Sequence, residues 1–303
     1  MKKRKFAGRI GLALGSGASR GWSHIGVIKA LLEIGVEPDI VCGCSVGALV
    51  GAAYCAGKLD KLEEWLTKLS KLEVARFLEL NWSLNGFVDV EHLHEFLITH
   101  VCDERVTIEE LEKTYAAVAT DLENGREVWF TEGSVLQAVW ASMSLPGLFP
   151  PIQYKGRWLV DGGLVNPVPI SICRALGADL VIAVNLNGDI VGKHLVLKQK
   201  NENDYGLADR FMKSIKQYSE AIFPDKHNEK KSPGLFNAIV SSINITQDRI
   251  TRSRMAGDPP DILLAPKLSK IGLLESHRAA EALREGEACV KRMLPEIEYL
   301  LSE

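Results

Sequence analysis

Residues 40–55 read IVCGCSVGALVGAAYC. Ile40, Val41 and Cys42 run through Gly43 and Cys44 into Ser45 with no polar side chain between. Val46, Ala48, Leu49 and Val50 then open an apolar stretch that lasts to Cys55. A short run that is apolar on both faces is a strand from the middle of a sheet; the longer apolar continuation is a buried helix. The strand therefore passes to the helix at the serine. Gly43-Cys44-Ser45-Val46-Gly47 is a GxSxG at that junction, the pattern of a nucleophile elbow, which projects a serine Oγ beyond the sheet edge. The flanking glycines leave room for the tight backbone. The Val46 amide falls at a helix N-terminus, where an N–H stabilises developing negative charge.

The same alternation continues on either side. Residues 10–14 read as a strand, 15–21 as a Gly-rich turn, and 22–34 as a helix with Ile25, Ile28, Leu31 and Leu32 on one face. Residues 58–72 have the spacing of an amphipathic helix. Residues 116–122 and 127–130 read as strands around Asn124-Gly125. Residues 135–143 read as a helix stopped by Leu145-Pro146-Gly147. A strand at 158–160 leads into Asp161-Gly162-Gly163, and 180–185 is a β-branched buried strand. Short buried strands separated by helices imply an α/β fold with a mostly parallel sheet. From residue 188 to 231 the pattern gives way to polar sequence, expected to be a solvated insertion. A helix at 235–254, a strand at 262–265 and a helix at 275–293 close the chain. The expected division is a core at 9–186, a polar insertion at 187–232, and C-terminal elements at 233–303 packed on the same domain.

The chain has 303 residues, 46% hydrophobic and 25% charged, with a formal net charge of −3. That length buries roughly three quarters of the unfolded surface. The near-neutral balance gives no field for nucleic acid, so no nucleic-acid partner is expected. No apolar run reaches a membrane span. The start, MKKRKFAGRIGLALGSGAS, superficially resembles a signal peptide, but its apolar stretch is too short, so a cytoplasmic location is expected. Cys42, Cys44, Cys55, Cys102, Cys173 and Cys289 form no CxxC pair, so buried reduced thiols are expected, with no metal and no cofactor.

Several residues compete for the chemistry. Gly17-Ala18-Ser19-Arg20-Gly21 is a second GxSxG. Ser45 is preferred on register, because its strand runs directly into Gly43, whereas the first strand ends before Gly15-Ser16-Gly17. The small residues Gly15, Ser16, Gly17 and Ala18 expose amides at a helix start, suited to an anion or an oxyanion. A dinucleotide turn is the competing reading: Gly15, Gly17 and Gly21 miss GxGxxG by one residue, and Asp39 lies at a suitable distance. For a base, His277 is the one late histidine outside the insertion. Asp161, after an apolar strand and before Gly162-Gly163, is the other candidate; alone it is an ordinary turn residue.

Taken together, LALGSGASRGWSHIGVIKAL, GCSVGALVGAAY, ASMSLPGLFPPI and LVDGGLVNPVPI resemble the patatin-like phospholipase family. The wording is most similar to its bacterial RssA-like subgroup and continues into RALGADLVIAVN and RMAGDPPDILL. The resemblance implies a three-layer α/β/α fold and a serine acyl hydrolase that cleaves phospholipid or lysophospholipid esters through a Ser–Asp dyad and an acyl-enzyme. By motif, Ser45 is the nucleophile and Asp161 the base. Gly15, Ser16, Gly17, Ala18 and Val46 form the oxyanion hole, with Arg20, Gly21, Gly43, Gly47, Gly162 and Gly163 in support. Ser16 and Ala18 stand where the family favours glycine, and Trp140 where it often has a basic residue. A lipid ester substrate implies surface contact, for which Leu145, Leu148, Phe149, Pro150 and Pro151, and the basic Lys2-Lys3-Arg4-Lys5, are the candidates. Arg20 either orients the glycine loop, meets a phosphate or pairs with a carboxylate. A catalytically quiet lipid-binding or regulatory module and a His-dependent α/β-hydrolase remain the alternatives. Oligomeric state is left open.

Overall fold

Strands form here where small and branched apolar residues leave no face for water. The computed structural model describes residues 6–70, 90–146, 148–190 and 235–302. Lys2 to Lys5, Gly147 and the expected insertion beyond residue 190 lie outside them. In chain order the elements are β1 (Ile10–Leu14), α1 (Ser23–Glu33), β2 (Ile40–Cys44), α2 (Val46–Cys55), α3 (Leu59–Lys68) and α4 (Val90–His100). There follow β3 (Thr114–Asp121), β4 (Glu127–Phe130), α5 (Val135–Met143), β5 (Ile152–Tyr154), β6 (Arg157–Asp161), α6 (Ile170–Ala175) and β7 (Leu180–Val184). The last are α7 (Leu235–Gly257), β8 (Ile262–Leu264), α8 (Ala279–Arg292) and α9 (Leu294–Leu300).

The eight strands form one sheet with the hydrogen-bonded path β5-β6-β3-β2-β1-β7-β8, and β4 paired to β3 off that path. Strands β8, β7, β1, β2 and β3 run parallel; β4, β5 and β6 form an antiparallel margin. Every residue of β1, β2 and β7 is buried. Their side chains alternate between two cores. Leu12, Val41 and Ile182 belong to the larger one, under α1, α2, α3, α5 and α8; Ala13, Cys42 and Val181 belong to the smaller one, under α6. This is the three-layer α/β/α arrangement, with a mostly parallel sheet.

The register on β3 carries the consequence that matters. β4 pairs with Ala117 to Thr120, β2 with Thr114 to Val118, and β6 with Ala119 to Asp121. A residue in a strand has two edges. Since β4 overlaps both other partners, β2 and β6 must lie along the same edge of β3, one beyond the other. Cys44 stands opposite Val118 and Asp161 opposite Ala119, the next residue along. The two strands thus approach end to end, and the chain leaving Cys44 finds its way along the edge blocked by Asp161.

Four described elements went unanticipated: α4, β5, α6 and α9. The expected helix at 275–293 divides into a 3-10 turn (Ser276–Arg278) and α8, and a Pro in the first turn of α9 marks the restart after Met293. α8 lies against α1 at glycine contacts on both sides. A Cβ on Gly26 would stand 2.0 Å from Leu283 O, and one on Gly286 would stand 2.1 Å from Ser23 O. In an open helix Gly286→Ala would gain about 1 kcal/mol of propensity. Here the methyl meets backbone, so the steric cost prevails and a net loss of roughly 1–3 kcal/mol is expected. A lowered urea midpoint would show it; an unchanged or raised midpoint would mean that the helices do not cross so closely.

Candidate active site

Ser45 sits between β2 and α2 with φ 56° and ψ −125°, a backbone conformation that L side chains rarely adopt. The neighbours account for it. A Cβ on Gly43 would lie 2.4 Å from Ala48 Cα, and one on Gly47 would lie 2.2 Å from Leu14 O, so the turn closes tightly only with glycine at both places. The Ser45 amide donates to Ser142 Oγ (2.8 Å), at the end of α5. The strained turn is therefore held from the neighbouring helix as well as from its own strand.

Ser45 Oγ donates to Asp161 Oδ2 at 2.6 Å. The other carboxylate oxygen, Oδ1, accepts from the Gly163 amide at 2.7 Å. Asp161 thus makes the helix cap that an Asp-Gly-Gly turn makes anywhere, and keeps its second oxygen for the serine. The Asp161 amide donates to Ser144 O (3.0 Å), and Thr120 Oγ1 donates to Asp161 O (2.8 Å), which fixes the backbone on both sides. The carboxyl is buried, at 1% exposure. Burial pushes its pKa up from 3.8 to about 6, opposed by the hydrogen bonds from Ser45 and Gly163. Burial, with the Asp161 carboxylate beside it, also raises the Cys44 thiol well above its ordinary value.

The glycine loop arrives from β1. The Gly15 amide donates to Val184 O (3.1 Å) and the Ser16 amide to Pro167 O (2.9 Å). Those two donors are committed to the backbone. Among the described residues no backbone acceptor faces the amides of Gly17, Ala18 or Val46. Ala18 takes φ 48°, a left-handed conformation for a non-glycine residue. Arg20 is buried at 3% exposure, and its Nε donates to Gly17 O (3.2 Å) while a terminal nitrogen donates to Asn244 Oδ1 (2.9 Å). Burial lowers its pKa to about 10, so it stays cationic at neutral pH. These contacts set Arg20 against the glycine loop and α7, with a carbonyl and an amide oxygen as acceptors.

The competing candidates occupy other environments. Ser19 Oγ gives its one proton to Leu273 O (2.8 Å) and so accepts from Ser276 Oγ (2.9 Å). It ties the loop to the C-terminal part of the chain. His277 lies in the 3-10 turn before α8, next to Ser276. Leu145, Leu148, Phe149, Pro150 and Pro151 are half-buried, and Phe149 packs on the larger core. The exposed large apolar side chains near the antiparallel margin are Leu122, Trp129 and Trp158. Trp140 is half-buried, with its indole ring near His94. All six cysteines are free and buried. Among the described residues no helix is long and apolar enough to cross a membrane.

Residues that sequence reasoning missed complete the surroundings. His24 Nε2 lies 2.8 Å from Gly15 O, and since a carbonyl only accepts, Nε2 carries the proton. Burial holds its pKa down to about 4, so the ring is neutral and acts as a prop for the loop. Ser142 lies within ASMSLPG, and its position in that motif was the available signal. Asn187, Asn244 and Gln247 come from segments without a motif.

A family model described as patatin-like phospholipase matches residues 12–174. An uncharacterized NTE family protein of Mycobacterium tuberculosis is 32% identical over 96% of this chain and 92% of its own length. Neuropathy target esterase sws of Drosophila melanogaster is 35% identical over 58% of this chain, which is 13% of that protein. Human patatin-like phospholipase domain-containing protein 6 is 34% identical over 58% of this chain and 13% of its own length. The solved structure of VipD from Legionella pneumophila covers 95% of this chain and 67% of that chain, at TM-score 0.46 and 16% identity. With a family model spanning more than half of its length and a relative matched almost end to end, the chain belongs to the patatin-like phospholipase family, a family of lipid hydrolases.

Proposed function

We propose that this chain cleaves carboxylic ester bonds of phospholipids or lysophospholipids, with Ser45 as nucleophile and Asp161 as base. The contact of Ser45 Oγ with a buried carboxylate, 2.6 Å away, carries this reading. Names given to the relatives, an esterase and phospholipase domain proteins, support the reaction class. Residues 9–186 hold the proposed chemistry, and residues 233–303 contribute to the same body through α7 and α8. A cytoplasmic location with peripheral lipid contact belongs to the same reading.

In the first half of the cycle Ser45 Oγ attacks the ester carbonyl carbon while its proton passes to Asp161 Oδ2. The carbonyl oxygen becomes an oxyanion. Gly17, Ala18 and Val46 are the amides left to receive it, since Gly15 and Ser16 already donate to backbone. Each such donor contributes about 3 kcal/mol to the transition state. The tetrahedral intermediate collapses, the ester C–O bond breaks, and the alcohol leaves with the proton from Asp161. Water then attacks the acyl-enzyme, giving its proton to Asp161, and the fatty acid departs as Ser45 regains a proton. A carboxylate with pKa about 6 is mostly ionised at neutral pH yet a stronger base than a free aspartate.

Two measurements test the roles. Hydrolysis of p-nitrophenyl butyrate and fatty-acid release from lysophosphatidylcholine should each fall by roughly 10³-fold or more in Ser45→Ala and Asp161→Asn. Retained turnover in either variant removes that residue from the cycle. In the parent protein kcat/KM should rise with pH through a single ionisation near about 6, because only the ionised carboxyl accepts the proton. A profile flat from pH 5 to 8 would contradict it.

The same shift has a consequence for stability. The folded pKa of Asp161 lies above its unfolded value, so the native state favours the protonated form. That contribution is present at low pH and lost as pH rises through about 6, at a cost of up to about 3 kcal/mol. Asp161→Asn should therefore raise the Tm at pH 8 and raise it less at pH 4.5. Equal shifts at both pH values would mean that the carboxyl ionises in the fold without penalty.

A further inference from the structure

Helix α7 lies beyond the residues that the family model matches, yet one face of it is turned to the candidate site. Asn244, Gln247, Thr251 and Arg254 recur at helical spacing and are all polar. Asn244 Oδ1 accepts from Arg20, and Arg254 Nε donates to Val165 O at 2.8 Å. Gln247, 5% exposed, stands between them. Its Oε1 accepts from Ser16 Oγ (3.1 Å) in the glycine loop and from Asn187 Nδ2 (3.3 Å) after β7. Its Nε2 packs on the turn of the base: a Cβ on Gly163 would meet Gln247 Nε2 at 2.4 Å and Asp161 Oδ1 at 3.0 Å, so amide and carboxylate flank one point.

We infer that Gln247 is a positioning residue for acyl transfer, holding the oxyanion loop through Ser16 and the Asp161 turn through Gly163 at a fixed separation. The inference rests on the Ser45–Asp161 reading. Its physical basis is that one side chain touches both backbone segments close to the reacting groups, in addition to the Ser16 amide bond to Pro167 O farther along. Oxyanion stabilisation depends on donor placement to within a few tenths of an ångström, so loosening this link should act on turnover. The buried side chains in the middle of α7, Gln247, Asp248 and Thr251, are polar, and the directional bonds they form fix geometry.

Two substitutions in the full chain separate positioning from packing. Gln247→Met keeps length and volume and removes the hydrogen bonds. Gln247→Glu keeps an acceptor for Ser16 and Asn187 but puts a second carboxylate beside Asp161. The cations on this face already have partners, Arg20 with Gly17 O and Asn244 Oδ1 and Arg254 with Val165 O and Glu127, and the Cys44 thiol beside Asp161 is neutral, so the new charge acts on the base. With p-nitrophenyl butyrate, Gln247→Met should lose at least about tenfold in kcat with KM within twofold, at a near-parental Tm. Gln247→Glu should move the acidic limb of kcat/KM up by about one pH unit. Parental kcat in the first variant, or an unmoved limb in the second, overturns the assignment. Ser45→Ala assayed alongside keeps the two readings apart: turnover surviving there sinks the dyad itself, whereas its loss with unaffected Gln247 variants sinks only this inference.

Discussion

Two strands sharing one edge of a third is the constraint on which the rest of the site depends. β2 pairs with β3 up to Val118, and β6 takes over at Ala119 from the opposite direction. With Asp161 in the next position, the chain after Cys44 has to leave the sheet, and it does so at Ser45 with a positive φ. The serine that turns out and the aspartate that ends the opposing strand are thus brought together by sheet register, across more than a hundred residues of sequence. The strain at Ser45 is held by rigid surroundings: two glycines against backbone, Ser142 on its amide, and a helix starting at the next residue.

Burial does the electrostatic part. The carboxyl at position 161 is kept from water and raised to about 6, while Arg20 and His24, equally enclosed, are lowered. One desolvation penalty acts on three groups with different results: a carboxylate made more basic, a guanidinium still charged, an imidazole made neutral. The neutral histidine close to the loop has its protonated nitrogen engaged with Gly15 O.

Much of this was legible in the sequence, for a definite reason. Strands buried on both faces announce themselves as unbroken apolar runs, and 10–14, 40–44 and 180–184 are such runs. The preference for Ser45 over Ser19 rested on how directly each strand reaches its serine, and Ser19 proves to be tied to Leu273 O. What escaped notice was short or marginal: β5 has three residues and α6 has six, too few to show a period. The end-to-end meeting of β2 and β6 is a matter of pairing register, which no local pattern encodes. Neither could sequence tell which loop amides were free, since Val184 O and Pro167 O claim those of Gly15 and Ser16 from distant segments. Gln247 escaped for the same reason: its meaning lies wholly in what it touches.

If one hydroxyl, turned out of the sheet, is activated by the carboxylate that ends the opposing strand, it should react as an activated serine does. Treatment with a fluorophosphonate followed by peptide mapping in a mass spectrometer reads this out, since that reagent marks an activated serine. A single adduct is expected on the peptide bearing Ser45, and none when Asp161 is replaced by Asn. An adduct on Ser19 instead, or undiminished labelling of Ser45 in the Asp161→Asn protein, would contradict it.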